Sequence, residues 1–257
     1  RTVFYSATTD NPFLDPAYLQ QHKQAVDPKS ARRYIYGEWI EINEERIYYA
    51  YDSATQFKKD TKYDPNLDHP ILVCFDFNIG EGKPMSSCLM QYIKGEFHVY
   101  NQCVIEGART LDVCEDYMLK GLLPRQARFI IHGDATGKSR STSSIHSDYD
   151  LIEKFFANSN LRFEMHVPQS NPPIRTRHNI VNSHCKNEAG STRLWVYKDA
   201  PTVDEALRLT RLKKGADYIE DDGPSQKFQH IGTALGYGLV YQVNDSGFRP
   251  GSSQRRF

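Results

Sequence analysis

The chain has no GxxxxGK[ST] phosphate loop, no CxxC pair, no zinc-like cysteine spacing, no internal repeat and no signal-peptide pattern at its start. No apolar run approaches the roughly 20 residues that a membrane helix requires. A P-loop ATPase centre, a zinc-finger module and a membrane span are thereby excluded. Neither sign of charge is in excess, with 32 Lys and Arg against 32 Asp and Glu. Any nucleic-acid contact has to come from local basic clusters and not from a basic overall field. The cysteines, Cys74, Cys88, Cys103, Cys114 and Cys185, are odd in number and scattered, which favours reduced thiols in a cytoplasm-like compartment. The expectation is a soluble, intracellular protein. Its 257 residues suit one large domain, or one domain with a sizeable appendage. The chain opens on Arg1 without an initiator methionine, so it is expected to be a fragment of a longer protein.

One stretch comes close to a nucleotide loop. In IIHGDATGKS, residues 130–139, only three residues separate Gly133 from Gly137, one short of a P-loop. Asp134 also stands where the preceding strand delivers its side chain, and a carboxylate there repels a triphosphate unless a cation intervenes. A strand-end carboxylate followed by Gly137, Lys138 and Arg140 suits a metal ion and a phosphodiester better.

Residues 1–65 are rich in Tyr, Pro, Asn and charge, with one amphipathic helix expected over 16–26. The polar segment KKDTKYDPNLDHP, 58–70, reads as a linker. From there the texture changes. ILVCFDFN, 71–78, is a continuous apolar run ending in Asp76, the pattern of a strand buried on both faces. Residues 86–93 and 96–105 form a hairpin around Lys94-Gly95. A helix over 110–121 and a second buried strand over 127–132 follow. A helix capped at Ser147-Asp148, a strand near 163–167 and a basic amphipathic helix over 172–186 come next. The remainder reads as a strand over 193–198, helices over 203–213 and 227–241, and a flexible tail from 244 to 257. Three antiparallel strands followed by helix-linked parallel ones is the layout of an α/β, ribonuclease H-like fold, a mixed central sheet flanked by helices. Its first and fourth strands lie side by side, which brings Asp76 and Asp134 together.

Two carboxylates forced together in a partly buried place repel, so one protonates or a cation binds between them. Hard oxygen ligands select Mg²⁺ or Mn²⁺, and a pair of such ions suits phosphodiester hydrolysis. Taken singly, either aspartate could be a turn-former or a helix cap. Asn78 could add an amide contact or close the turn. Further ligands could come from Glu106, from Glu220, Asp221 and Asp222, or from the last helix. There His230, Thr233, Tyr237 and Tyr241 share a polar face opposite Ile231, Ala234, Leu235 and Leu239. His230 on that face could be structural or a ligand. Lys138 and Arg140, and Arg175 and Arg177, could border a groove for a DNA backbone or form solvated charged faces.

Six phrases then align in order: TTDNPFLDPAYL, RRYIYGEWIE, CFDFN, GDATGKSRSTSSIHSDYDLI, VPQSNPPIRTRHNIVNSH and QHIGTALGYGLVY. Together they resemble the large subunit of tailed-phage terminase, the motor-nuclease that packages DNA into viral capsids. The resemblance implies that residues 1–65 are the trailing end of the ATPase half plus linker, 66–243 the ribonuclease H-like nuclease and 244–257 a tail. It implies an endonuclease in the host cytoplasm that cuts double-stranded concatemeric DNA with little sequence specificity and works with a terminase small subunit and a portal protein. Carried over by position, Asp76 and Asp134 resemble the first two metal-binding aspartates. Thr233 stands where the family usually has a third, which leaves His230 or Asp222 as the favoured third ligand, ahead of Asp221 and Glu106. A non-cleaving DNA- or portal-binding module, or a resolvase-type nuclease on the same fold, are the rival expectations.

Overall fold

The computed structural model describes residues 6–38, 46–78, 83–139, 145–213, 220 and 226–245. Two helices open it, α1 (Pro16–Ala25) and α2 (Pro28–Tyr34), each with proline in its first turn and an aspartate cap. Asp15 accepts from the Ala17 N–H, and Asp27 accepts from those of Lys29 and Ser30. Then come α3 (Ser53–Gln56), β1 (Phe57–Lys58), β2 (Ile71–Asp76), β3 (Met85–Ile93), β4 (Glu96–Ile105) and α4 (Thr110–Leu119). The chain continues through β5 (Arg128–Gly133), α5 (Asp148–Asn158), β6 (Arg162–Met165), α6 (Ile174–Cys185), β7 (Leu194–Tyr197), α7 (Pro201–Leu209) and α8 (Gln226–Asp245). Every element expected from residue 71 onward is present, α7 closing at Leu209 and α8 continuing through Asp245.

The strands form one mixed sheet in the order β1-β7-β4-β3-β2-β5-β6. β2, β3 and β4 are antiparallel neighbours, while β5 and β6 run parallel to β2. That is the ribonuclease H-like arrangement, with β1 and β7 added beside β4. The β3–β4 hairpin turns through Lys94 and Gly95 at φ 52° and 87°, the left-handed region that a two-residue connection requires.

Because β2 is buried along its whole length, its side chains feed two cores. Leu72 and Cys74 join the core under α6, α7 and α8, whereas Ile71, Val73 and Phe75 join the one under α4 and α5. α8 crosses β2 and β3 at close range, since a Cβ at Gly238 would stand 2.3 Å from Cys74 Sγ. This contact fixes the height of α8 over the sheet and carries its first turns past the end of β2.

Residues before the expected boundary near 65 take part in the same packing. Ile47, Tyr48 and Tyr51 are buried in the α8-side core, and the Tyr51 hydroxyl donates to Asp204 on α7 at 2.8 Å. β1 pairs in parallel with β7. Beyond β1, the buried Gln91 accepts from the Tyr63 hydroxyl at 3.0 Å and the Asn66 N–H at 2.9 Å, and donates to the carbonyls of Asn66 and His69. The segment expected to be a linker is fastened to the sheet by one buried amide.

Candidate metal centre

Asp76 ends β2 and Asp134 follows the last residue of β5. Phe75 and Gly133 are register partners, and the Asp134 N–H donates to the Phe75 carbonyl at 3.2 Å. The two aspartates therefore leave the same end of adjacent parallel strands, the position that the strand order implied. Asp76 is 5% exposed. Burial pushes its carboxyl above the ordinary carboxylate range, His230 and Asn78 pull it back, and the charge of Asp134 adds to the rise.

Each carboxylate commits one oxygen to the protein. Asp76 Oδ2 accepts from Asn78 Nδ2 at 2.6 Å and from His230 Nδ1 at 2.9 Å, so Asn78 supplies the amide contact. Asp134 Oδ1 accepts from the Thr136 N–H at 2.7 Å and from Asn171 Nδ2 at 2.8 Å. Among the described residues nothing donates to Asp76 Oδ1 or to Asp134 Oδ2. His230 Nδ1 also stands 3.0 Å from Asn78 Nδ2, so Asp76, Asn78 and His230 form one contact triangle. Among the described residues the buried His230 Nε2 has no hydrogen-bond partner. Two uncommitted carboxylate oxygens and an unpartnered imidazole nitrogen are the donor types a divalent cation takes.

The face of α8 that the sequence marks as polar is turned inward, with His230, Thr233 and Tyr237 buried. Thr233 brings a hydroxyl, not a carboxylate, one turn from His230. Tyr237 and Tyr241 stack with ring centroids 6.1 Å apart. Burial raises both hydroxyls, and the field of Asp134 raises them further. On the other side, Tyr149 of α5 donates its hydroxyl to the Asp134 carbonyl at 3.1 Å. The glycines of the GDATG turn have packing reasons. A Cβ on Gly137 would stand 2.3 Å from the Phe77 ring, and one on Gly133 would stand 3.0 Å from the Phe75 carbonyl oxygen.

The basic residues fare differently. Lys138 is exposed, its ammonium donating to the carbonyls of Gln169 at 2.6 Å and Pro168 at 3.3 Å. Arg175 lies over the Tyr34 ring with its guanidinium carbon 5.9 Å from the centroid and donates to the Tyr34 hydroxyl. Arg177 corrects the expectation that it borders a DNA groove: it is 5% exposed, bonded to Glu220 at 2.9 Å and set 5.2 Å over the Tyr237 ring. Two positions along a helix point in different directions, and position 177 points into the core. Glu220 also takes His178 Nε2 at 2.8 Å. Burial pushes Glu220 up, but these two partners outweigh it and hold its carboxyl below the ordinary value.

Glu106 is exposed in the turn after β4, and Ser147 is a helix cap in a reciprocal pair with Asp150. Arg140, Asp221 and Asp222 lie outside the described residues. Among the described residues no three His, Cys, Asp or Glu side chains form a ready metal cage. The residue that sequence reasoning missed is Asn171. Its signal was topological: it lies in the loop after β6, a parallel neighbour of β5 whose end opens on the same sheet edge as Asp134.

Neither a protein-family model nor a curated protein matches this chain. Solved structures do. The large terminase of a thermophilic bacteriophage, in complex with ATP-gamma-S, superposes on 92% of this chain and 55% of its own length, with a TM-score of 0.63 at 12% identity. The P22 large terminase nuclease domain superposes on 77% of this chain and 92% of its own, with a TM-score of 0.54 at 10% identity. The chain shares its fold with the large-terminase nuclease domain. It spans 55% of the length of the thermophilic phage's terminase, and nearly the whole P22 domain is accounted for within it. No described helix is long and apolar enough to cross a membrane.

Proposed function

We propose that this chain is the metal-dependent endonuclease portion of a phage DNA-packaging terminase, cutting double-stranded DNA by hydrolysis of phosphodiester bonds with little sequence preference. The observation that carries the reading is the pair Asp76 and Asp134, delivered to one sheet edge with an uncommitted oxygen each, beside the unpartnered Nε2 of His230. The likeness to the two phage terminases is in the fold, and it supports the reading because the P22 structure is that of a nuclease domain.

Asp76, Asp134 and His230 would hold Mg²⁺ or Mn²⁺, with Asp222 as the further acidic ligand and two ions in all. A bound divalent ion would supply a water with a lowered pKa and electrostatic stabilisation of the leaving oxygen. The protein's own part is to hold the carboxylates close in a partly buried place, where a cation relieves their repulsion. His230 and Asn78 orient Asp76, and Asn171 and Thr136 orient Asp134. Lys138, Arg140 and Arg175 would meet the DNA backbone, a contact blind to base sequence and weakened by salt. Arg177 is left out of this group because its charge is committed to Glu220. A terminase small subunit and a portal protein are the partners that the reading implies, in the host cytoplasm.

The test is plasmid cleavage in Mn²⁺ by Asp76→Asn and Asp134→Asn. Both variants should lose cutting by several orders of magnitude, and undiminished cutting by both overturns the reading. Thr233, a hydroxyl where a third carboxylate is expected, favours one alternative, a module that binds DNA or a portal without cutting. Calorimetry separates the two, since such a module has no need to bind a pair of Mn²⁺ ions.

A further inference from the structure

We infer that the loop after β6 is an orienting clamp on Asp134 and that Asn171 is its positioning residue. The inference rests on the metal-centre reading above and adds to it a residue that the nuclease fold alone does not assign. The Asn171 side chain makes a two-sided bridge. Its Nδ2 donates to Asp134 Oδ1 at 2.8 Å, while its Oδ1 accepts the Ala135 N–H at 2.8 Å. One amide thereby reads the carboxylate and the backbone of the next residue together, which fixes both the position of the turn and the rotation of the Asp134 side chain.

Three further bonds hold the loop in register with the turn. The His166 N–H donates to the Ile131 carbonyl at 3.0 Å, which extends the β5–β6 ladder toward the edge. Lys138, on the far side of the turn, donates to the carbonyls of Pro168 and Gln169. Pro172 and Pro173 follow Asn171 at once and restrict the backbone on which it is mounted.

The chemical consequence lies in the carboxylate's two oxygens. With Oδ1 held by Asn171 and by the Thr136 N–H, Asp134 presents Oδ2, the oxygen to which nothing described donates. Outer partners of ligating carboxylates commonly govern metal affinity by 10- to 100-fold. Asn171 does not itself touch the scissile group, so its removal should change metal affinity and kcat more than the KM for DNA.

The experiment titrates Mn²⁺ alone into the full chain by calorimetry and compares the parent with Asn171→Ala, Asn171→Gln and Asp134→Asn, checking each fold by circular dichroism. Asn171→Ala is expected to weaken Mn²⁺ binding about 10-fold, Asn171→Gln to fall between it and the parent, and Asp134→Asn to lose the most. In plasmid cleavage Asn171→Ala should lower kcat and raise the Mn²⁺ requirement with little change in KM for DNA. Parent-like Mn²⁺ affinity in Asn171→Ala, while Asp134→Asn loses it, overturns the clamp and leaves the metal centre standing. A parent chain that binds no Mn²⁺ overturns the metal centre and the clamp with it. Should Asn171→Ala fail to fold, Asn171→Gln carries the measurement, and parent-like affinity there together with a parent-like Mn²⁺ requirement for cleavage overturns the clamp.

Discussion

Gly236 and Arg177 occupy one space: a Cβ at position 236 would stand 2.4 Å from Arg177 Cγ and 2.6 Å from Cδ. The arginine stem fills a notch in α8 that only glycine leaves open, and its guanidinium is pinned beyond by Glu220 and Tyr237. Gly236→Ala gains about 1 kcal/mol in helix propensity but forces a pinned side chain to move. Overpacking of this kind costs about 1 to 3 kcal/mol. Urea denaturation should give a net loss of stability, and a stabilised variant would show that Arg177 is free to swing away.

The Arg177–Glu220–His178 cluster predicts an asymmetry between its members. Glu220→Gln leaves the buried Arg177 charge without its partner and should cost about 3 to 5 kcal/mol. Arg177→Met keeps the stem in the Gly236 notch and leaves Glu220 with His178 Nε2 at 2.8 Å, so it should cost less. Equal losses in parallel denaturation curves would mean that the ion pair is not what holds this cluster.

The placement of Asp76 and Asp134 was legible because it depends on order alone. A continuous apolar strand ending in an acid, a hairpin and a helix-linked parallel strand leave little freedom over which strand ends meet. Arg177 was not legible, since Arg175 and Arg177 look alike in sequence and only the docking of α6 decides which one is buried. The polar face of α8 was legible as a source of further ligands, and its His230, Thr233 and Tyr237 are buried beside the acidic site. Tyr48 and Tyr51 lie in a segment without an apolar run, and their burial depends on partners more than 100 residues away, such as Asp204.

His230 yields a prediction distinct from those for the aspartates. It joins the Asp76 carboxylate through Nδ1 and offers a buried, unpartnered Nε2. Whether the imidazole meets the metal itself or only orients Asp76, His230→Ala should weaken Mn²⁺ binding about 10- to 100-fold, read by calorimetry on a variant that circular dichroism reports as folded. Unchanged affinity would make His230 a purely structural partner of Asp76.

His184 contributes to the acid limit of the fold from a place unrelated to the metal centre, alongside His132 on β5, whose pKa burial pushes from 6.5 down to about 3. His184 is buried on α6 with Nδ1 2.8 Å from the Ile180 carbonyl oxygen and its ring edge-on to Phe97. Burial first, and the nearby Arg193 second, push its pKa down from 6.5 to about 4. A base whose folded pKa lies below its unfolded value is bound as the neutral form. The stability it permits is fully present above pH 6.5, falls as pH drops from 6.5 toward 4, and levels off below that. At 1.36 kcal/mol per pKa unit the loss reaches about 3 kcal/mol. Glu220 acts in a separate and lower window: its depressed pKa gives stability present above about 4.5 that is lost as pH falls further. The parent should therefore lose stability between pH 6.5 and 4. His184→Phe, which keeps a ring against Phe97 and removes the titrating group, should lose about 3 kcal/mol less over that interval. Urea midpoints measured at half-unit steps of pH provide the comparison, and parallel profiles for parent and variant would take His184 out of the acid transition.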